Sequence, residues 1–307
     1  MTGAQRIREA IGERAVLMPG VYDALTARIA ARVGFDVVFV SGYSVSAARL
    51  GEPDFGFLTQ TEMADAARSV CNVSEAPVIV DADTGYGNPL NVIRTVGDLQ
   101  DAGASGVFLE DQVWPKKCGH MEGKQVVETQ DHAAKIRAAA DARGERDLFI
   151  VARTDARQPL GLEAAIERCL AYKEAGADAL FVEAPQSVEE LEQIAAALPK
   201  PLVANMIERG ATPHLSRSEL EQLGFSLIVC PLSALFAAAK AASEVLTELK
   251  ERETTAGALD SMLAFDELNE LVGLEARYAD ETRYAQSREA ALAAHPLGGG
   301  FGELLSG

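Results

Sequence analysis

The chain has 307 residues, 48% of them apolar, enough for one barrel domain or two smaller domains with a large buried core. Its 28 basic and 46 acidic residues leave a net charge of −18, which argues against a nucleic-acid or anionic-membrane partner. Any anionic substrate must therefore meet local cations and not a basic surface.

The first residues lack the apolar core of a signal peptide, and no apolar run reaches the roughly 18 residues that span a bilayer. Cys71, Cys118, Cys169 and Cys230 are scattered without a CxxC spacing, which fits a reducing cytoplasm better than a disulfide framework. Taken in chain order, eight apolar, β-branched runs are predicted strands: 15–18, 37–40, 77–81, 106–109, 148–152, 179–182, 201–204 and 227–229. Before the second, fourth, sixth and eighth stands a helical stretch ending in Gly34, Gly103, Gly176 or Gly224, each read as a helix C-cap. Strands alternating with helices at this count and length predict an α/β fold, a (β/α)8 TIM-type barrel over residues 1–250. A doubly wound sheet is the lesser alternative. Residues 256–284 read as an amphipathic helix within a C-terminal helical extension, 251–290, and 291–307 as a disordered tail.

Most predicted strands end in residues suited to chemistry, as a barrel's C-terminal rim requires. They are Ser41-Gly42, Asp81 with Asp83, Glu110-Asp111, Arg153 with Asp155, Glu183 and Asn205. Strand alternation would point Asp81 and Asp83 to one side, where two close carboxylates repel unless a cation joins them. Glu110 and Asp54 would complete an oxygen-rich shell suited to Mg²⁺, with Mn²⁺ as a substitute and no organic cofactor. The plain alternative is a solvated acidic rim. Arg153 could hold a substrate carboxylate in bidentate fashion, or be an ion pair with Asp155 or Glu183.

Beyond Glu110-Asp111 comes Lys116-Lys117-Cys118-Gly119-His120-Met121-Glu122-Gly123-Lys124, expected to be a mobile loop. Flanking cations favour thiolate, and an unperturbed thiol pKa of about 8.5 suits a proton donor, so Cys118 reads as an acid that quenches a carbanion. His120 is expected to orient the loop. His132 and His214 read as surface residues, and the other cysteines as small core residues. Lys116 and Lys117 read as exposed, which argues against a Schiff base.

In their order, DADTGYG, GVFLEDQVWPKKCGHMEGK, VARTDAR, FVEAP and ANMIERGATP resemble the isocitrate lyase/phosphoenolpyruvate mutase superfamily from about residue 20 to about residue 276. The KKCGH element resembles its carbon–carbon lyase branch, with the 2-alkylmalate lyases the nearest likeness and the methylisocitrate lyases next. The resemblance implies a substrate-carboxylate loop at Ser41, Gly42 and Tyr43. It also implies metal residues Asp81 and Asp83, with Asp54 and Glu110 acting through water, and an acid at Cys118 beside Gly119 and His120. Arg153, Glu183 and Asn205 would be further substrate contacts. It further implies a homotetramer whose subunits exchange their C-terminal helices in pairs. Where methylisocitrate lyases carry two arginines for an extra carboxylate, the matching positions here are Phe236 and Phe265, which would favour an alkyl group.

The expected activity is thus Mg²⁺-dependent cleavage of a 2-hydroxy dicarboxylate, such as 2,3-dimethylmalate, by a retro-aldol or retro-Claisen step. The products would be a 2-oxo acid and a carboxylate, with Cys118 as general acid and Arg153 holding the carbanion's charge. The initial base stays open among Tyr43, Glu110 and a hydroxide on the cation. Methylisocitrate lyase and oxaloacetate hydrolase are the alternatives, followed by a phosphonopyruvate or phosphoenolpyruvate mutase-type enzyme.

Overall fold

The computed structural model describes residues 1–294. Eight strands close into an all-parallel barrel in sequence order: β1 Val16–Val21, β2 Val38–Val40, β3 Val78–Asp81, β4 Gly106–Glu110, β5 Phe149–Thr154, β6 Ala179–Val182, β7 Leu202–Asn205 and β8 Leu227–Cys230. β8 pairs with β1 to complete the ring. The four glycines of the recurring pattern all adopt positive φ, from +89° to +111°, where a side chain would be strained. They stop each helix and turn the chain into its strand.

Strand alternation sorts the apolar residues into two cores. Val38, Val40, Val78, Val80, Val107, Leu109, Ile150, Ala152, Leu180 and Val182 face the surrounding helices. Phe39, Ile79, Phe108, Val151, Phe181, Val203 and Val229 fill the barrel interior. Phe39 and Phe108 pack with ring centres 4.7 Å apart, and Phe108 meets Phe181 edge-on at 5.7 Å. The N-terminal helix Gly3–Glu13 adds Ala4 and Ile7 to this inner core, and a Thr2–Gln5 capping box starts that helix.

The inner residues explain the polar rim. Two residues beyond Phe39, Ile79, Phe108, Val151, Phe181 and Val203 stand Ser41, Asp81, Glu110, Arg153, Glu183 and Asn205. A period of two therefore aims all six inward, above a floor of aromatic and branched side chains.

By compactness the chain separates into Met1–Glu244 and a unit beginning at Val245, with the helix Ser233–Arg252 running from one into the other. Residues 256–284 do not form one helix. A 3-10 turn, Ala256–Ser261, precedes helices Phe265–Leu271 and Leu274–Ala294. Glu267 accepts from the Ala264 N–H and starts a new helix, and Gly273 at φ +79° breaks the run again. The tail expected to be disordered lies almost wholly outside the described residues. Among those described, no helix is long and apolar enough to cross a membrane.

Candidate active site

A cavity at the C-terminal end of the strands is lined by Ser41, Tyr43, Asp54, Asp81, Glu110, Cys118, Gly119, His120, Arg153, Glu183 and Asn205. Phe39, Phe108, Phe181 and Val229 form its floor, and Ile207, Pro231 and Leu232 add apolar wall. Gly42 borders the acidic end: its N–H donates to Asp81 Oδ2 at 3.3 Å, and a Cβ there would stand only 2.8 Å from that oxygen. Ser41 accepts the Ser44 N–H and so starts the short helix Gly42–Val45.

Asp81 ends β3 as expected, but Asp83 does not continue the alternation. Its φ of +47° places it in a left-handed turn, closed by the Gly85 N–H donating to the Ala82 carbonyl. The turn and not the pleat brings Asp83 beside Asp81, whose Oδ1 accepts the Asp83 N–H at 3.1 Å.

Lys116 is a correction to the sequence reading. It is 3% exposed, and its ammonium lies 2.8 Å from Asp54 and 2.5 Å from Asp83. Burial alone would lower its pKa, but Asp83 and Asp54 raise it well above the usual lysine value. The carboxylates therefore converge on one positive charge. With Lys116 among them, no three carboxyl, imidazole or thiol groups of the described residues enclose an ion by themselves.

Burial pushes Asp83 up to about 7 despite Lys116, and pushes Glu110 well above the ordinary range despite Arg153. Asp83 Oδ2 and Glu110 Oε1 are buried without a hydrogen-bond partner. Orphaned, hard carboxylate oxygens beside a bound ammonium fit a divalent cation such as Mg²⁺ or Mn²⁺. Asp111, read with Glu110 as part of one acidic cluster, belongs elsewhere. It faces the helices and accepts from Thr154, the Asp155 N–H, Arg168 and Tyr172.

Arg153 makes both ion pairs weighed from sequence. It grips Asp155 with two bonds of 2.9 and 3.0 Å, and lies 3.2 Å from Glu183 and 3.4 Å from Glu110. Its guanidinium also sits 5.5 Å above the Phe181 ring. Burial opposes its charge, but Asp155, Glu183 and Glu110 hold its pKa well above the usual value. Burial likewise opposes the Glu183 anion, yet Arg153 and His120 keep that carboxyl below the usual range. Asn205 donates to both Glu183 oxygens. His120 Nδ1 accepts the Ala211 N–H, so Nε2 carries the proton facing Glu183 at 3.1 Å. His120 thus bridges the loop to the rim and the segment after β7.

Residues 112–126 form a flap whose neck is an antiparallel bridge between Gln112 and Val126. Gln112 also clasps the backbone of Lys117, and the Cys118 N–H donates to the Asp54 carbonyl. Burial raises the Cys118 pKa to about 11, so the expected bias toward thiolate is not realised. Lys116 and Arg153 are spent on carboxylates, and the Lys117 ammonium lies over the Phe55 ring. The thiol keeps its proton at neutral pH, as a proton donor must.

His132 is another correction: it is fully buried, packs edge-on against Tyr172, and burial lowers its pKa to about 3. Phe236 is 42% exposed and does not line the cavity, while Phe265, in the second unit, is 80% exposed. Sequence reasoning missed Lys116 and Lys124 as parts of the site's ionic framework and gave Asp155 only as a partner of Arg153. Lys116 and Lys124 occur in the stretch singled out for Cys118, but nothing in their spacing signals burial.

Residues 9–250 match the phosphoenolpyruvate phosphomutase family. The petal death protein of Dianthus caryophyllus is 54% identical over 272 residues, 88% of this chain and 85% of that protein. The 2,3-dimethylmalate lyase of Eubacterium barkeri is 46% identical over 289 residues, 94% of this chain and 100% of the relative. A phosphonopyruvate hydrolase solved with oxalate and Mg²⁺ superposes with a TM-score of 0.84 at 30% identity, covering 93% of this chain and 100% of that one. Match length, identity and barrel agree: this chain belongs to the isocitrate lyase/phosphoenolpyruvate mutase superfamily of enzymes.

Proposed function

We propose that this protein is a metal-dependent carbon–carbon lyase, working in the cytoplasm, that cleaves a 2-alkylmalate such as 2,3-dimethylmalate into a 2-oxo acid and a carboxylate. The observation that carries this reading is the Cys118 thiol lining the same cavity as Arg153 and the acidic cluster, where burial favours its protonated form. A phosphonate mutase hands the phosphoryl group back to the fragment that released it, protonates no carbon and has no use for such a donor.

Asp81 and Asp83, backed by Asp54 and Glu110, would hold Mg²⁺ or Mn²⁺. When bound, that ion supplies the positive charge that lowers the pKa of a neighbouring 2-hydroxyl. Ser41, Gly42 and Tyr43 stand beside the acidic end of the cavity, where the Ser41 and Tyr43 hydroxyls would meet the adjacent substrate carboxylate. A base lining the cavity, Glu110 or Tyr43, takes the hydroxyl proton, C2 becomes the carbonyl of the 2-oxo acid as the C2–C3 bond breaks, and the bond's electron pair leaves on the fragment that becomes the carboxylate product. Arg153 faces that developing charge, with Glu183 and Asn205 fixing its angle. The Cys118 S–H then delivers its proton to carbon, and the flap shields the carbanion from water. Ile207, Pro231 and Leu232 offer an apolar wall for the alkyl substituent.

The exposed Leu259, Leu263, Phe265 and Leu268 of the second unit suit burial against a second copy, as in a homotetramer of helix-swapped pairs. The deciding experiment is a turnover screen of 2,3-dimethylmalate, methylisocitrate, oxaloacetate and phosphonopyruvate with Mg²⁺ and with EDTA. Metal-dependent cleavage favouring dimethylmalate supports the reading; phosphonopyruvate alone as substrate overturns it.

A further inference from the structure

We propose that Lys124 is a positioning residue, whose ammonium ties the flap carrying Cys118 to the barrel rim and so fixes where the thiol stands. The inference deepens the reading above and rests on it for the role of Cys118. Lys124 lies on the returning arm of the loop, between exposed Gly123 and exposed Gln125, yet its side chain is wholly enclosed.

Its Nζ makes two contacts. It donates to the Gly119 carbonyl, one residue past Cys118 on the outgoing arm, and it pairs with Asp155 Oδ1 at 2.9 Å. Asp155 is not free to follow the flap. Its two oxygens also take the paired N–H groups of Arg153, and its own N–H donates to Asp111. One ammonium therefore joins both arms of the flap to the end of β5, on the same carboxylate that aims the guanidinium.

The contact at Gly119 is close. A Cβ there would overlap the side chains of Arg153 and Glu183, so the flap backbone lies directly on the rim. On the other arm, Lys116 and the Cys118 N–H fasten the chain to Asp54. The return arm has no comparable anchor to the rim except Lys124 among the contacts described. Without its charge, a buried carbonyl and part of a buried carboxylate lose their donor, a loss relieved by opening the flap to water.

The test compares wild type with Lys124→Met, labelling cysteines with iodoacetamide and reading each cysteine peptide by mass spectrometry. Cys169, fully buried, reports whether the barrel is intact. Cys118 labelling is expected to rise about 10- to 100-fold with Cys169 still protected, the scale of losing hydrogen bonds to a charged group. Lys124→Arg should restore most of the protection. With substrate, kcat should fall more than KM rises. Should Lys124→Met expose Cys169, Lys124→Gln takes its place with the same expected result. Cys118 labelled at the wild-type rate in a folded variant overturns the proposal. Labelling needs no substrate, so raised labelling without cleavage of any of the four acids leaves the anchor standing and removes the lyase reading instead.

Discussion

The strand-end half of the cavity and the flap that covers it are built on different principles. Glu110, Arg153, Glu183 and Asn205 stand where a period of two puts them, each two residues past a side chain locked in the barrel floor. The flap has one backbone bridge at its neck, and the position of Cys118 depends on side chains reaching across: Gln112, Lys116, His120 and Lys124. A rigid rim can hold charge in fixed geometry, whereas a tethered flap can admit substrate and then bring in a proton. The division of labour follows: electrostatics from the rim, acid chemistry from the flap.

The largest expected effect lies on the rim. Asp83→Ala should abolish Mg²⁺-dependent turnover, as should EDTA on the wild type; activity that ignores both removes the metal from the account. On the flap, Cys118→Ala should lower kcat by at least roughly 100-fold, a usual scale for losing a general acid. Its fold, read by circular dichroism, should be unchanged, and a fully active variant would mean that the flap supplies no acid.

A third prediction concerns the barrel wall behind the rim. His132 is buried with a pKa of about 3, against about 6.5 when unfolded, so as pH falls through that window the unfolded chain takes up a proton and the folded one does not. Stability should drop by about 1.4 kcal/mol per pH unit from this group alone below pH 6.5. Urea midpoints for wild type and His132→Phe between pH 7 and 5 check it; equal slopes would refute it. The smallest effect is expected from Phe236→Arg. This half-exposed site off the cavity lining should cost 2,3-dimethylmalate cleavage only a few-fold, the low end of a single-contact change. A loss as large as that of Cys118→Ala would place Phe236 in the substrate pocket.

The comparison also explains what could be read before any coordinates. Eight buried runs, the capping glycines before four of them and the polar residues that end most of them give the barrel and its rim, because backbone periodicity alone sets those directions. Asp83 reached the right neighbourhood for the wrong reason, a left-handed turn in place of a strand. Lys116 and Lys124 were illegible because a lysine in a glycine-rich loop looks solvated unless its distant carboxylate is known. Asp54 and Asp155 lie 62 and 31 residues from those lysines. His132 was misread similarly: its helix is only weakly amphipathic, and the burial comes from Tyr172 on another helix. Cys118 stands out in its sequence context and lines the cavity, but its surroundings differ from that reading, since Lys116 serves carboxylates and Lys117 lies over the Phe55 ring.

The most direct test of the central claim follows the proton itself. Cleavage of 2,3-dimethylmalate in D₂O, with NMR and chiral derivatisation of the labelled carboxylate, reports which face of the carbanion receives deuterium. Delivery from Cys118 predicts a single configuration from wild type and a racemic product from the residual turnover of Cys118→Ala. Racemic product from wild type, or an unchanged single configuration from the alanine variant, would contradict a thiol poised above the cavity as the acid.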